Sequence, residues 1–533
     1  MTGLAPTPEQ LGRLQAAFRE LKAEQDQSLR QAERRTFVYT HVYRQVRDEG
    51  RCLLIGRKGA GKTAMLVGYR FENRDDYLAE ADIDIIADEF PLEPLFNFFY
   101  REIFKKLNGG NPRESRKETD LAQFLDPTKV ATYAWKQSLV ASAVYMAADQ
   151  ILTSDIAKRL SEDERKLLEE ARGHVLQLFG GQNGSKLFGT GGQMLSSLLV
   201  LFFGNFTEVI EIMVHEAGGS FATMIARITA RLSAMASNNT ADALRRPVLL
   251  IRQILERHGK KVLLTLDRFD DFYDEFHYRY DNDSQIYEKR AFLASLLKGL
   301  VIAARDLQRD PGNFAWMHMI FTIPMDKFLE LQLRERADLE SNHVVRLEWT
   351  PRELYELVNR RIASALDLPE KDVTDAWKIL FPFDVANGRL RKVKEDSFLY
   401  IVRHSLWNPR EIQMYLKALF SELEKRPADE EMFRQVVRAE TENIIRREFI
   451  GQFVGEFHGL QRVLNKLGNV QLRTVMKYET LCDHLGGLEL FDGCRTPDQI
   501  VVRLFHMGVI GIRMNARRTD GNAAVITQQK QEV

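Results

Sequence analysis

The chain has 533 residues, of which 44% are hydrophobic and 28% are charged. Lys plus Arg and Asp plus Glu each number 75, so the net charge is zero. The chain therefore has no net positive charge that would attract it to nucleic acid or to an anionic membrane. A chain of this length exceeds one ordinary hydrophobic core, which predicts two to four domains.

The three cysteines, Cys52, Cys482 and Cys494, match neither a disulfide framework nor a zinc site. The small number and the spacing of the cysteines favour a reducing compartment, and we expect a cytoplasmic protein. Residues 1–10 lack the basic start and apolar stretch of a signal peptide. The uncharged segment 187–207 is interrupted by glycines, and its continuous apolar part is shorter than the ~20 residues of a spanning helix. We expect a buried helix there rather than a membrane contact.

The N-terminal part of the chain predicts a helical lead-in followed by the start of a sheet. Residues 1–50 are charged and mostly helical in pattern, and 51–55 form a short apolar strand. A glycine-rich loop comes next, and 62–69 are predicted to form the helix that this loop opens. Isoleucines in 82–87 favour a second strand.

Further strands are predicted at 262–266, 319–323 and 343–348, with a long helix over 288–306. Short strands that alternate with helices favour an α/β fold with a parallel sheet. Residues 93–258 are mostly helical in pattern. We therefore predict a core domain over 51–348 that carries a large helical insertion.

The C-terminal half predicts a helical lid over 349–447 and a separate module over 448–515. In that module, helices are predicted at 460–467, 471–485 and 498–507, and a strand at 509–513. Three helices followed by a strand indicate a winged-helix-like domain. The polar residues 516–533 are predicted to form a flexible tail.

The glycine-rich loop matches the pattern of a glycine, four residues, and then Gly-Lys-Ser/Thr. Its predicted nucleotide-binding residues are Gly56, Arg57, Lys58, Gly59, Ala60, Gly61, Lys62, Thr63 and Ala64. Glycines let backbone N–H groups approach phosphate oxygens, and the following helix points its N-terminus at the same anion. Lys62 is predicted to reach the β- and γ-phosphates, and Thr63 to ligate magnesium. A chance match is the alternative, but the strand before the loop and the helix after it favour binding of ATP with Mg²⁺.

An acidic cluster follows the apolar strand at 262–266. Asp267 is predicted to hold Mg²⁺ through water, and Asp270 or Asp271 to polarise the attacking water as a general base. Alternatively, Asp267 only caps a helix and the other two lie in a solvated acidic loop. The sequence does not choose between Asp270 and Asp271.

Three further candidates come from polar residues near strand or helix ends. Thr322 ends a strand and is a candidate for sensing the γ-phosphate. Arg334 and Arg336 follow that strand, where an arginine could reach a nucleotide on a neighbouring subunit, although a solvated helix face explains them equally well. Arg410 lies at the start of a predicted lid helix and is a candidate for contacting the γ-phosphate. The alternative is an ordinary helix start, because a proline such as Pro409 is common at that position.

Several segments together resemble one family. Residues 23–26 (AEQD), 56–64 (GRKGAGKTA) and 346–350 (RLEWT) occur in the order typical of a bacterial P-loop ATPase family allied to the STAND and AAA+ NTPases. The loop of that family commonly reads GRKGxGKTA. Residues 266–271 resemble the acidic motif of NACHT-type STAND proteins, and 408–410 are similar to the second sensor of AAA+ lids. Arg268 departs from the resemblance, because many AAA+ proteins have a catalytic glutamate there.

The resemblance implies a switch or motor in which ATP orders the interface between core and lid, often within an oligomer. Our first hypothesis is accordingly a Mg²⁺-dependent ATPase switch that acts on a macromolecule, as a homo-oligomer or with a protein partner. A role in bacterial defence follows only by association. One alternative is a nucleotide-gated sensor or scaffold with little turnover. Another is a DNA-binding ATPase, although the charges of the C-terminal module are nearly balanced.

Overall fold

The computed structural model describes residues 6–18, 38–83, 96, 127–178, 240–267, 286–331, 336–386, 394–405, 407–444, 460–469, 478–486 and 496–507. The chain divides into two compact units. The sheet unit takes its residues from 42–55 and 69–346, and the helical unit takes its residues from 1–41, 56–68 and 347–533.

The described strands and helices follow one another along both units. The strands are β1 (Leu53–Gly56), β2 (Tyr77–Ile83), β3 (Lys261–Leu266), β4 (Met317–Pro324), β5 (Val344–Arg346), β6 (Asp384–Ala386) and β7 (Lys394–Asp396). The helices are α1 (Pro8–Ala17), α2 (His41–Asp48), α3 (Lys62–Asn73), α4 (Pro127–Thr153), α5 (Glu162–Leu178), α6 (Thr240–His258), α7 (Ile286–Gln308), α8 (Pro311–Phe314), α9 (Met325–Glu330), α10 (Arg336–Asn342), α11 (Pro351–Ala365), α12 (Ala376–Leu380), α13 (Ser397–His404), α14 (Pro409–Leu423), α15 (Glu430–Asn443), α16 (Leu460–Asn469), α17 (Tyr478–Leu485) and α18 (Pro497–Met507).

The sheet unit contains a five-stranded parallel sheet with the order β2-β3-β4-β1-β5. Its register places Leu53 opposite Val344 and Val262 opposite Met317. All eight residues of β4 are buried, as expected for a parallel strand covered on both faces. The predicted α/β fold with a parallel sheet is therefore confirmed.

Long helices pack against this sheet and build most of its core. Helix α4 packs closely on α7, where the Trp135 indole donates a hydrogen bond of 3.1 Å to the Leu296 carbonyl. A Cβ added to Gly299 would lie 2.6 Å from the Cβ of Ala131. Only glycine permits this close approach of the two helices. The described parts of the predicted insertion, 127–178 and 240–258, are helical apart from short turns, as expected.

The helical unit has a separate aromatic core. Trp377 packs on Phe381 and Phe398, with ring centroids 4.6 and 5.3 Å away. Helix α1 belongs to this core, because Phe18 lies 5.4 Å from the ring of Phe420. Helix α11 starts at a capping box, in which the Thr350 hydroxyl accepts a hydrogen bond from the Glu353 N–H and the Glu353 side chain accepts one from the Thr350 N–H.

Helices α16, α17 and α18 share a small apolar core of Val463, Leu485, Ile500, Val501 and Leu504. The predicted strand at 509–513, on which the winged-helix interpretation depends, lies outside the described residues. None of the described helices combines the length and the apolar character that membrane crossing requires. The apolar segment 187–207 also lies outside the described residues.

Two predicted elements differ from the structure. Strand β2 begins at Tyr77 rather than at residue 82, because the short 3-10 helix Arg74–Asp76 ends there and Tyr77 pairs with Lys261. The antiparallel pair of β6 and β7 occurs in a region that was expected to be helical. Strands of three residues are too short to show the alternation that identifies a strand in a sequence.

Candidate functional site

The glycine loop connects β1 to α3, and its backbone conformation requires glycine at two positions. Gly59 and Gly61 have φ values of 81° and 91°, a region that other residues rarely adopt. A Cβ on Gly59 would also lie 2.9 Å from the side chain of Asn408. Successive backbone N–H groups in such a loop form a concave site for an anion.

Lys62, the first residue of α3, folds back over the beginning of the loop. Its Nζ donates hydrogen bonds to the carbonyl of Gly56 at 3.1 Å and to that of Arg57 at 3.3 Å. The residue is only 7% exposed. The next two residues, Thr63 and Ala64, are half-buried in the first turn of α3. The loop thus holds the buried Lys62 cation beside a helix N-terminus, and both favour an anionic ligand.

Two side chains from distant parts of the helical unit bind the loop through its carbonyl groups. The Trp349 indole donates a hydrogen bond of 2.7 Å to the Ala60 carbonyl, and the Asn408 amide donates one of 3.0 Å to the Lys58 carbonyl. The predicted site residue Arg410 lies beside the same loop, because its Cβ is 3.0 Å from the position that a Cβ on Gly59 would occupy. The sequence analysis assigned no loop-binding role to Trp349 or Asn408.

Acidic side chains also lie beside the loop. Glu348 and Glu411 interact electrostatically with Arg57. Glu348 immediately precedes Trp349, and Glu411 is in the first turn of α14. Glu348 and Glu411 therefore partly neutralise the guanidinium of Arg57. Each lies close in the sequence to a residue that contacts the loop.

Asp267 and Thr322 meet at the carboxyl ends of two adjacent strands. The Thr322 hydroxyl donates a hydrogen bond of 2.5 Å to a carboxylate oxygen of Asp267, although the residues are 55 positions apart. Thr322 is 1% exposed, whereas Asp267 is half-buried. Thr322 and Asp267, which the sequence analysis proposed as separate candidates, are therefore hydrogen-bonded to each other.

Arg70 is a further charged residue near Asp267, and the sequence analysis missed it. Its guanidinium donates a hydrogen bond of 2.5 Å to the Thr265 hydroxyl and interacts electrostatically with Asp267. Burial lowers the pKa of Arg70, and the negative charge of Asp267 opposes that shift.

The remaining candidates divide into those described and those that are not. Asp270, Asp271 and Arg334 lie outside the described residues. Arg336 forms an ion pair of 2.7 Å with Glu340 one turn further along α10. That pairing agrees with the helix-face alternative for Arg336.

The described residues fit a nucleotide with a magnesium ion in two respects. The positive-φ glycines leave room where a Cβ would fill the loop, and Lys62 supplies a buried cation. Thr63 in the helical unit and Asp267 in the sheet unit each carry an oxygen donor of the kind that magnesium prefers. Among the described residues, no cluster of three or more His, Cys, Asp or Glu side chains could hold a metal alone.

No protein-family model matches the chain, and neither curated proteins nor solved structures include a significant match.

Proposed function

We propose that this protein is a Mg²⁺-dependent ATPase switch of the P-loop type, with ATP and Mg²⁺ as its ligands. The observation that supports this most strongly is the conformation of residues 56–63. Two positive-φ glycines and a buried lysine occur together at the N-terminus of α3. Each feature favours a multiply charged anion such as a triphosphate.

The present partners of Lys62 support a role in binding phosphate. Its ammonium group contacts two neutral carbonyl oxygens at 3.1 and 3.3 Å. Hydrogen bonds from an ammonium to a charged oxygen are shorter and stronger than these. A phosphate oxygen would therefore replace the carbonyl partners at a net gain, and Thr63 would lie one residue further along α3 to ligate the metal.

The hydrolytic half of the proposal uses Asp267 and Thr322. The carboxyl ends of parallel strands lie at one edge of a sheet, and β3 and β4 are neighbours in the same sheet. Bound Mg²⁺ would neutralise phosphate charge and polarise the γ-phosphate. Asp267 would orient that ion through water, and Thr322 would hold the carboxylate in place. Asp270 and Asp271 remain the candidates for the general base.

The helical unit would respond to the nucleotide through its contacts with the loop. Trp349 and Asn408 bind loop carbonyls and precede α11 and α14, respectively. A change in the loop would therefore reach the packed helices of this unit directly. A loop whose change reaches the packed helices in this way fits a switch that acts on a macromolecular partner. The resemblance to STAND and AAA+ proteins supports a homo-oligomer or a protein partner before DNA.

The test is phosphate release by the purified full-length chain with ATP and Mg²⁺. We expect turnover that is lost when EDTA is added and in Lys62→Ala. Lys166→Ala is the matched control, because it removes an exposed lysine on α5. Equal turnover by wild type and Lys62→Ala would remove the proposal of an ATPase. Magnesium-dependent binding without turnover would instead favour the nucleotide-gated scaffold.

A further inference from the structure

We propose that Trp349 and Asn408 are positioning residues that orient the phosphate-binding N–H groups of the glycine loop. This inference rests on the proposed function, because it assigns a task within the same site. Both residues bind the loop through their side-chain N–H donors and its backbone carbonyls. The consequence follows from the geometry of the peptide group.

A trans peptide is planar, so the carbonyl of one residue and the N–H of the next point in opposite directions. Asn408 binds the carbonyl of Lys58, which directs the N–H of Gly59 away from Asn408. Trp349 binds the carbonyl of Ala60, which directs the N–H of Gly61 away from the indole. The two N–H groups fixed in this way belong to the two glycines with positive φ.

These glycines are the residues that most need an external support. Glycine has the largest conformational freedom of any residue, so an unsupported glycine loop loses much entropy when it closes on a ligand. One hydrogen bond to the carbonyl just before Gly59 and one to the carbonyl just before Gly61 restrict these two peptide groups before the ligand arrives. Preorganisation of this kind raises affinity without a direct contact to the ligand.

The supports are themselves fixed at helix starts. The Asn408 side chain accepts a hydrogen bond of 3.0 Å from the Arg410 N–H, so one amide group both caps α14 and binds the loop. Trp349 immediately precedes Thr350, which caps α11. Leu354 of α11 and Ile412 of α14 are both buried in the core of the helical unit. The direction of two loop amides is thus set by a packed helical core.

The test uses substitutions that remove the indole or the amide donor. Trp349→Phe keeps an aromatic ring but lacks the indole N–H. Asn408→Ser keeps an oxygen that can cap α14, but it lacks the amide donor. Trp135→Phe is the matched control, because it also removes an indole hydrogen bond, of 3.1 Å to the Leu296 carbonyl, but in the sheet unit. The dissociation constant for Mg·ATPγS is measured by calorimetry, with KM, kcat and Tm for each variant.

Loss of one hydrogen bond predicts a dissociation constant raised about two- to tenfold for Trp349→Phe and for Asn408→Ser. KM would rise by a similar factor with little change in kcat, because the supports act on bound substrate and transition state alike. The Trp135→Phe protein would bind as wild type does. Unchanged affinity in both loop variants, with affinity lost in Lys62→Ala, would overturn the inference and leave the proposed function intact. An equal loss in Trp135→Phe would also overturn it, and a wild-type chain that does not bind nucleotide would remove both.

Discussion

The hydroxyl of Thr322 lies 2.5 Å from a carboxylate oxygen of Asp267 and donates a hydrogen bond to it. Thr322 belongs to β4 and Asp267 follows β3, and these strands are paired with Leu266 opposite Phe321. The bond joins side chains at the ends of two strands that a long helix separates along the chain. It fixes the orientation of the carboxylate that we assign to the magnesium ion.

Replacement of Thr322 by Val keeps the shape of the side chain but removes the hydroxyl. A hydrogen bond to a charged group contributes about 1.5–3 kcal/mol, so we expect kcat to fall about ten- to hundredfold. Thr322→Ser retains the donor and would keep most of the activity. Steady-state hydrolysis of both variants gives the comparison. Equal activity of the Val and Ser proteins would show that this bond has no role in turnover.

Asp267→Asn tests the assignment of the metal side of the site. The substitution removes the negative charge while it preserves the size of the side chain. We expect a higher Mg²⁺ concentration for half-maximal hydrolysis and a fall in maximal rate of at least about tenfold. A magnesium titration of activity measures both quantities. The exposed Asp163 of α5 provides a control, and Asp163→Asn should titrate as wild type does.

Gly59→Ala tests the need for glycine in the loop. Its φ of 81° and the 2.9 Å separation between the added Cβ and the Asn408 side chain both oppose alanine. We expect nucleotide affinity to fall at least about tenfold, since left-handed backbone costs about 1–2 kcal/mol for other residues. Gly173→Ala is the control: it lies within α5 and its Cβ would meet nothing within 4 Å. That variant should be more stable than wild type by about 0.5–1 kcal/mol. If Gly59→Ala bound nucleotide as tightly as wild type, the strained loop would not be required.

A buried histidine in the sheet unit predicts a specific pH dependence of stability. His318 accepts or donates hydrogen bonds with Tyr77 at 2.6 Å and Tyr69 at 3.3 Å. Burial lowers the pKa of His318 to about 4, from about 6.5 in the unfolded chain. The unfolded state therefore binds the proton more readily. The free energy of unfolding falls as the pH drops through 6.5, and the contribution of neutral His318 is lost completely below about pH 4.

Between pH 7.5 and pH 5 this effect amounts to about 2 kcal/mol. Urea unfolding of wild type and His318→Gln at both pH values isolates it, because the other titrating groups are common to both proteins. We expect the wild type to lose about 2 kcal/mol more than the variant does. The same loss in both proteins would mean that His318 is not held neutral by burial.

The sequence predicted the elements of the sheet because the pattern in each is local. Apolar runs bounded by polar residues identified β1, β3 and β4 to within a few residues, and the long periodic segment identified α7. The predicted start of β2 was too far along the chain, because the true start depends on the pairing of Tyr77 with Lys261, which is distant in the sequence. Pairing across that distance leaves no signal in a single sequence.

In the candidate site, too, local patterns were predicted and contacts between distant residues were not. The glycine loop is a contiguous motif, and it was found from its spacing. The contacts of Trp349 with Ala60 and of Asn408 with Lys58 join residues 289 and 350 positions apart. An indole or an amide side chain that binds a backbone carbonyl has no sequence pattern of its own. Arg70 was missed for the same reason, since its link to Thr265 spans 195 positions.

Direct titration of the purified chain with Mg·ATPγS tests the central assignment most directly. We expect saturable uptake by wild type and by Lys166→Ala, and an affinity at least about tenfold weaker for Lys62→Ala. Each protein would first be shown to be folded by its thermal transition. Absence of saturable uptake by folded wild-type protein, or equal affinity of wild type and Lys62→Ala, would contradict the assignment of residues 56–63 as a phosphate-binding loop.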